Sequence, residues 1–193
     1  MKTIPGPQAE ADARADSPVC AARAVILVGF MGAGKTSVGR SLGQRLGWTF
    51  EDLDDRIEAR EKRSVEQIFR ESGEAKFRRA EHAALRELLA EGGATPRVVA
   101  LGGGAFVQAH NADLIQEARA MVVFLSAPVE ELFRRCEQES RKRPLQQDRE
   151  SFRQLYEARL PHYAAAAVRI ETGGKDVEAV AEEIARGLEN KRG

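Results

Sequence analysis

Net charge is missing from this chain: 30 basic residues balance 30 acidic ones over 193 positions. Without an excess of either sign there is no electrostatic basis for a general nucleic-acid or membrane-surface binder. Any anionic partner must be met by a local cluster of basic side chains. Cysteine is nearly missing too. Cys20 and Cys136 stand far apart, which excludes a disulfide framework or a cysteine metal site and leaves free thiols. The three histidines, His82, His110 and His162, are scattered, with no partner at metal-ligand spacing. No apolar run approaches the roughly 20 residues of a membrane span. Residues 1–23 are polar and proline-containing, with no apolar stretch like that of a signal peptide. They read as a disordered tail, and the protein as cytoplasmic. Residues 24–193 have the length of one domain, and no internal repeat divides them.

What is present alternates. "RAVILV", "WTFEDL", "RVVAL", "MVVFL" and "VRIET" are short apolar, β-branched runs suited to strands. Between them lie helical patterns. "TSVGRSLGQRLG" closes on Gly47, and Ser64 with Gln67 makes a capping-box start for "VEQIFRES". A longer helix from Glu74 to Glu91 carries Phe77, Ala84, Leu85 and Leu88 on one face, and Pro128 opens another. Ile68, Phe69 and Phe77 are expected in the core. "QESRKRPLQQDRE" is charged and aperiodic and reads as a mobile loop between helices, a lid near 138–150. Strands alternating with helices predict a mostly parallel five-stranded sheet in a three-layer α/β/α fold.

"GFMGAGKT", Gly29–Thr36, fits G-x-x-x-x-G-K-[ST] between a strand and a helix. Glycines let backbone N–H groups curl around phosphate oxygens, and the following helix adds its dipole. Lys35 would reach the β- and γ-phosphates, and the Thr36 hydroxyl would ligate Mg²⁺. The second strand ends "FEDLDD". Asp52 and Asp54 lie two apart, so on a strand end they would point the same way. Asp52 would hold a magnesium-bound water and Asp54 would meet the acceptor hydroxyl. The same residues equally suit a solvated helix N-terminus, where aspartate is common. The third strand ends in Gly102, Gly103 and Gly104, where many phosphate-binding α/β proteins carry an acid.

From about Ala24 onward the chain resembles shikimate kinase. The resemblance rests on "GFMGAGKTSVGR", "F-x-D-L-D", "SVEQIFRESGEAKFRRAE", "ALGGGA", "RPL" and "R-L-P-H-Y-A-A-A-A" in that order. It implies a P-loop kinase fold of the nucleoside-monophosphate-kinase type and ATP-dependent phosphorylation of the 3-hydroxyl of shikimate, in aromatic amino-acid biosynthesis. It also implies a monomer. By the same resemblance Asp54, Arg78, Gly103 and Arg159 would bind shikimate, with Gly102 and Gly104 beside them. Gly32, Ala33, Gly34, Lys35, Thr36 and Ser37 would hold ATP, with Thr36 and Asp52 serving Mg²⁺. Arg143, in "RPL", would be a lid arginine reaching the transferring phosphate, so that Lys35, Asp54 and Arg143 form the catalytic set.

The chemistry suits these residue types. Guanidinium forks match a carboxylate with two parallel N–H bonds. An aspartate can accept a hydroxyl hydrogen bond and orient or deprotonate the attacking oxygen. A strand end without side chains lets a ring approach the backbone. Departures from the family pattern fall in two places. The segment from Arg143 to Arg159 is a few residues shorter than in many relatives and lacks their second leucine after the proline. Near the base, "IETGGKDV" carries Val177 where a proline packs on adenine. Arg135 is a candidate for stacking on the base, with Arg134 or a surface role left open. A kinase of another polyol acid, such as gluconate, would share the phosphate loop but not the set Arg78, Gly103 and Arg159. A ligand-sensing module fused to DNA binding finds no helix-turn-helix pattern here.

Overall fold

The structure, a computed structural model, describes residues 23–91, 95–140 and 148–190. Along them run β1 (Ala24–Val28), α1 (Lys35–Leu46), β2 (Thr49–Asp52), α2 (Leu53–Glu61) and α3 (Val65–Glu91). There follow β3 (Arg97–Ala100), α4 (Ala109–Glu117), β4 (Met121–Ser126), α5 (Val129–Ser140), α6 (Arg149–Tyr163), β5 (Val168–Glu171) and α7 (Val177–Asn190). The strands form one sheet in the order β2-β3-β1-β4-β5, and every neighbouring pair is parallel. Helices cover both faces. The central strands are therefore apolar at successive residues rather than at alternate ones: Val25, Ile26, Leu27, Val98 and Val99 are all fully buried. Among the described residues, no helix is long and apolar enough to cross a membrane.

Local chemistry sets the helix boundaries. Gly47, at φ 66°, closes α1, and the Trp48 N–H returns to the Gly43 carbonyl at 2.8 Å. The capping box forms in both directions. The Ser64 N–H donates to Gln67 Oε1 at 2.9 Å, and the Gln67 N–H to Ser64 Oγ at 3.1 Å. The two helices expected over 65–72 and 74–91 are joined as α3 but broken at Gly73, whose φ of 75° and ψ of 169° are not helical. Phe77, Ala84, Leu85 and Leu88 are buried, as their spacing predicts. Phe69 is not. It is 38% exposed and lies against the Phe77 ring at 4.5 Å. Consecutive helical residues are about 100° apart, so Ile68 takes the buried position and Phe69 cannot. Helix α4 gave no apolar stripe to read, because one of its two buried positions is Asn111.

Parallel strands carry their loops to one edge, where ligands bind in α/β sheets. The carboxyl end of β1 delivers the phosphate loop, that of β2 delivers Asp52, and that of β3 delivers the three glycines. Asp52 and Asp54 do not share a strand face. Strand β2 stops at Asp52, whose side chain caps α2 by accepting from the Asp54 N–H at 3.0 Å. A helical turn, not the β period, brings the second acid to the same edge.

Candidate active site

The phosphate loop is shaped by its glycines and by what lies behind them. Gly32 has φ 79°, and a Cβ there would sit 2.7 Å from the Leu132 carbonyl oxygen and 2.9 Å from Cys136 Sγ. Only glycine fits. Gly34, left-handed at φ 84°, precedes the first residue of α1, which has no side-chain cap. The open N–H groups of that first turn are therefore left for an anion. Lys35 folds back so that Nζ donates to the carbonyls of Gly29 and Phe30, each at 3.0 Å. Burial holds its ammonium below the ordinary lysine range, against the pull of Asp54 and Asp52. The Thr36 hydroxyl donates to Asp52 Oδ2 at 2.7 Å. That leaves the hydroxyl lone pairs beside a carboxylate, a pair of hard oxygen donors of the kind Mg²⁺ takes. Among the described residues, no group of three His, Cys, Asp or Glu side chains could hold a metal alone.

Asp54 is half-buried on the first turn of α2. Burial, followed by the neighbouring Asp52 charge, pushes its carboxyl up to about 6, while Lys35 opposes the shift. A carboxylate poised there is a competent proton acceptor near neutral pH.

The three glycines after β3 each face a different charged or polar group of the crevice. A Cβ on Gly102 would lie 2.8 Å from Asp54 Oδ1, one on Gly103 would lie 3.3 Å from an Arg159 guanidinium nitrogen, and one on Gly104 would lie 2.7 Å from Arg78. The turn from Gly102 to Gly104 is thus the floor on which Asp54, Arg159 and Arg78 converge. Arg78 comes from α3 and Arg159 from α6, so the site is assembled across the sheet edge from elements far apart in sequence. Arg78 is held by Glu81, with Nη1 at 3.1 and 3.0 Å from its two oxygens, and by Glu74 at 3.0 and 3.2 Å. Glu81 is 1% exposed, and burial pushes its carboxyl up. For Arg78, burial disfavours the charge, but Glu81 and Glu74 more than offset it, and the guanidinium stays ionised. Arg159 lies over the Phe30 ring at 5.7 Å.

A cleft of about 710 Å³ opens on the other side of the phosphate loop, lined by Gly32, Gly34, Ser37, Arg135, Thr172 and Val177 among others. Its size and its place at the loop suit a nucleoside. Arg135 enters it with both of its terminal nitrogens already engaged. They bond Glu131 at 2.6 Å, the Thr172 carbonyl at 2.9 Å and the Gly32 carbonyl at 3.3 Å. Those bonds fix the plane of the guanidinium at the cleft. Arg134 is exposed, outside this lining. Val177 is 37% exposed at the same mouth.

Two groups in the site escaped the sequence reading. Glu81 could have been found, because it follows Arg78 by three residues on a helix, a spacing at which side chains meet. Tyr163, whose hydroxyl donates to the Gly103 carbonyl, gave no such signal, since its partner lies 60 residues away. The histidines are less scattered than their numbers suggest. His82 and His110 face each other edge-on at 4.7 Å, and His82 Nδ1 lies 2.8 Å from Asn111 Oδ1. Arg143 and the centre of the expected lid, like Cys20 and the expected tail, fall outside the described residues.

Comparison with known proteins agrees with this geometry. The family model described as shikimate kinase matches residues 31–189. A shikimate kinase of Geobacter sulfurreducens is 45% identical over 166 residues, covering 84% of this chain and 89% of that one. Among solved structures, a shikimate kinase from Acinetobacter baumannii in complex with shikimate superposes with a TM-score of 0.79 at 35% identity, covering 86% of this chain and 93% of that one. A gluconokinase from Sinorhizobium meliloti, at 19% identity and a TM-score of 0.58 over 86% of this chain and 91% of that one, shares the fold alone. With its phosphate loop, its paired acids and its glycine turn in place, the chain belongs to the shikimate kinase family.

Proposed function

We propose that this enzyme transfers the terminal phosphoryl group of ATP to the 3-hydroxyl of shikimate, with the residues above in specific roles. Arg78 and Arg159 receive the substrate carboxylate, for which two planar, permanently charged forks are suited. Asp54 accepts the hydrogen bond of the attacking hydroxyl and can take its proton as the new P–O bond forms. Gly102, Gly103 and Gly104 leave room for the ring. Gly32, Ala33, Gly34, Lys35, Thr36 and Ser37 hold the phosphates, and Arg135 offers its face to adenine. Mg²⁺, when bound at Thr36 and Asp52, would neutralise charge on the phosphates. Arg143 would close over the transferring group. The remaining barrier is met by in-line placement and charge stabilisation rather than covalent chemistry. We take residues 24–193 as the catalytic domain, acting as a cytoplasmic monomer.

One observation carries the assignment of roles: the convergence of Asp54, Arg78 and Arg159 on three successive glycines. A phosphate loop alone would suit many acceptors, but two guanidiniums and a carboxylate around a side-chain-free floor suit a compact ring bearing one acid and several hydroxyls. The test is ADP release by purified protein with ATP and Mg²⁺, in the presence of shikimate, gluconate or neither. Release that depends on shikimate is expected. Release with gluconate instead, or binding without turnover, would overturn the reading.

A further inference from the structure

Tyr163 ends α6, one helical turn beyond Arg159, and is 1% exposed. Its ring stacks on Phe124 of β4 at 5.3 Å and 25°. Packing alone would be served by phenylalanine, but the hydroxyl is used: it donates to the Gly103 carbonyl. The Arg159 guanidinium lies at the same glycine, since a Cβ on Gly103 would stand 3.3 Å from its Nη1 and 3.7 Å from the tyrosine hydroxyl. Burial pushes the phenol up to about 12, so it stays a donor throughout the working range.

That bond has a geometric consequence. A trans peptide holds its C=O and N–H antiparallel in one plane. Drawing the Gly103 carbonyl towards Tyr163 therefore turns the Gly104 N–H the opposite way. Among the described residues, the N–H groups of Gly102, Gly103 and Gly104 donate to no protein acceptor. Glycine peptides without side chains have no intrinsic preference for one orientation, so an external tie is what defines it.

We propose that Tyr163 is a positioning residue for the acidic substrate, fixing the Gly103–Gly104 peptide beside the Arg159 guanidinium as one preorganised unit. This rests on the reading of that crevice as the shikimate site. The role is separable from ATP binding, because the hydroxyl bonds the glycine turn after β3 rather than the phosphate loop.

Tyr163→Phe keeps the ring stack and removes the tie to Gly103. The shikimate KM is expected to rise about tenfold, the equivalent of one lost interaction of about 1.4 kcal/mol. The ATP KM should stay within about twofold and the Tm nearly constant. A double-mutant cycle with Arg159→Lys should be non-additive, because the two side chains meet at Gly103. A lowered Tm with an unchanged shikimate KM would make Tyr163 a merely structural residue, and an equal rise in both KM values would indicate general collapse of the site; either overturns the proposal. If Tyr163→Phe fails to fold, 3-fluorotyrosine incorporated in a Tyr156→Phe background alters the donor and acceptor strength of this hydroxyl at nearly constant volume. A shift confined to the shikimate KM is expected, and no shift overturns the relay. Wild-type protein that turns over no shikimate would instead sink the functional assignment beneath it.

Discussion

A methyl group on Gly104 would stand 2.7 Å from the Arg78 guanidinium. The backbone at Gly104 is one that any residue adopts, and the obstacle is the far end of a flexible side chain. Gly104→Ala is therefore cheap for the fold, costing under about 1 kcal/mol, but it displaces the fork proposed to meet the substrate carboxylate. The shikimate KM should rise tenfold or more on the scale of about 1.4 kcal/mol per decade, while the ATP KM holds. Gly29→Ala should behave oppositely. There φ is 149° and a Cβ would lie 2.6 Å from the Leu125 backbone oxygen, so thermal unfolding should move down and binding of both substrates should weaken.

Asp54 links activity to pH, and the sign can be worked out. Its folded value of about 6 lies above the 3.8 of an ordinary aspartate. The folded state binds this proton more tightly than the unfolded chain, so the contribution of Asp54 to stability is present below pH 3.8 and lost as pH rises through 6. At pH 7.5 the ionised carboxylate is a burden of about 1–3 kcal/mol. Asp54→Asn should raise the Tm at pH 7.5, with the gain vanishing near pH 4, while turnover falls by two or more orders of magnitude, roughly the share expected of a general base. In the wild type, kcat/KM for shikimate should fall as pH drops below about 6. A flat profile from pH 5 to 8 would remove Asp54 from the proton chemistry.

Asp52 serves two roles that different substitutions separate. It caps α2 through the Asp54 N–H and accepts from Thr36. Asparagine caps a helix about as well as aspartate, whereas alanine costs about 1 kcal/mol. Asp52→Asn should therefore preserve the Tm and raise the Mg²⁺ concentration needed for half-maximal activity. Asp52→Ala should do both kinds of damage. Equal Mg²⁺ requirements in wild type and Asp52→Asn would limit Asp52 to capping.

These outcomes show which parts of the site sequence can disclose. The placement of Lys35 and Thr36 was legible because both sit on a contiguous loop, where spacing along the chain is spacing in space. Asp54 was legible for a partly wrong reason: the acid reaches the crevice on a helical turn, not on a strand face. Arg78, Arg159 and the glycines could be nominated only by resemblance, since their meeting joins α3, α6 and the end of β3. No local periodicity encodes such a contact. The misplacement of Phe69 has the same root, because an apolar residue beside a buried one can be turned outward by 100° without any change in composition. The adenine side was least legible. There the relevant fact is not that Arg135 is cationic but that Glu131, Thr172 and Gly32 engage its two terminal nitrogens.

That engagement makes Arg135 the last point of test. Its guanidinium ties α5 to the phosphate loop through the Gly32 carbonyl and to the segment after β5 through Thr172. Glu131, which also accepts from the Gly174 N–H at 3.4 Å, keeps the fork in plane. Arg135→Ala removes both the tie and the flat face, so the ATP KM should rise by about one to two decades, one decade for each 1.4 kcal/mol lost. Arg135→Lys retains a charge but neither the fork nor the plane and should recover little. Glu131→Gln leaves the arginine in place with a weaker, neutral acceptor and should give an intermediate rise. In all three the shikimate KM should hold, because the crevice of Asp54, Arg78 and Arg159 lies across the phosphate loop from this cleft. Near-complete recovery by lysine would mean that charge, not a planar face, serves the nucleotide here.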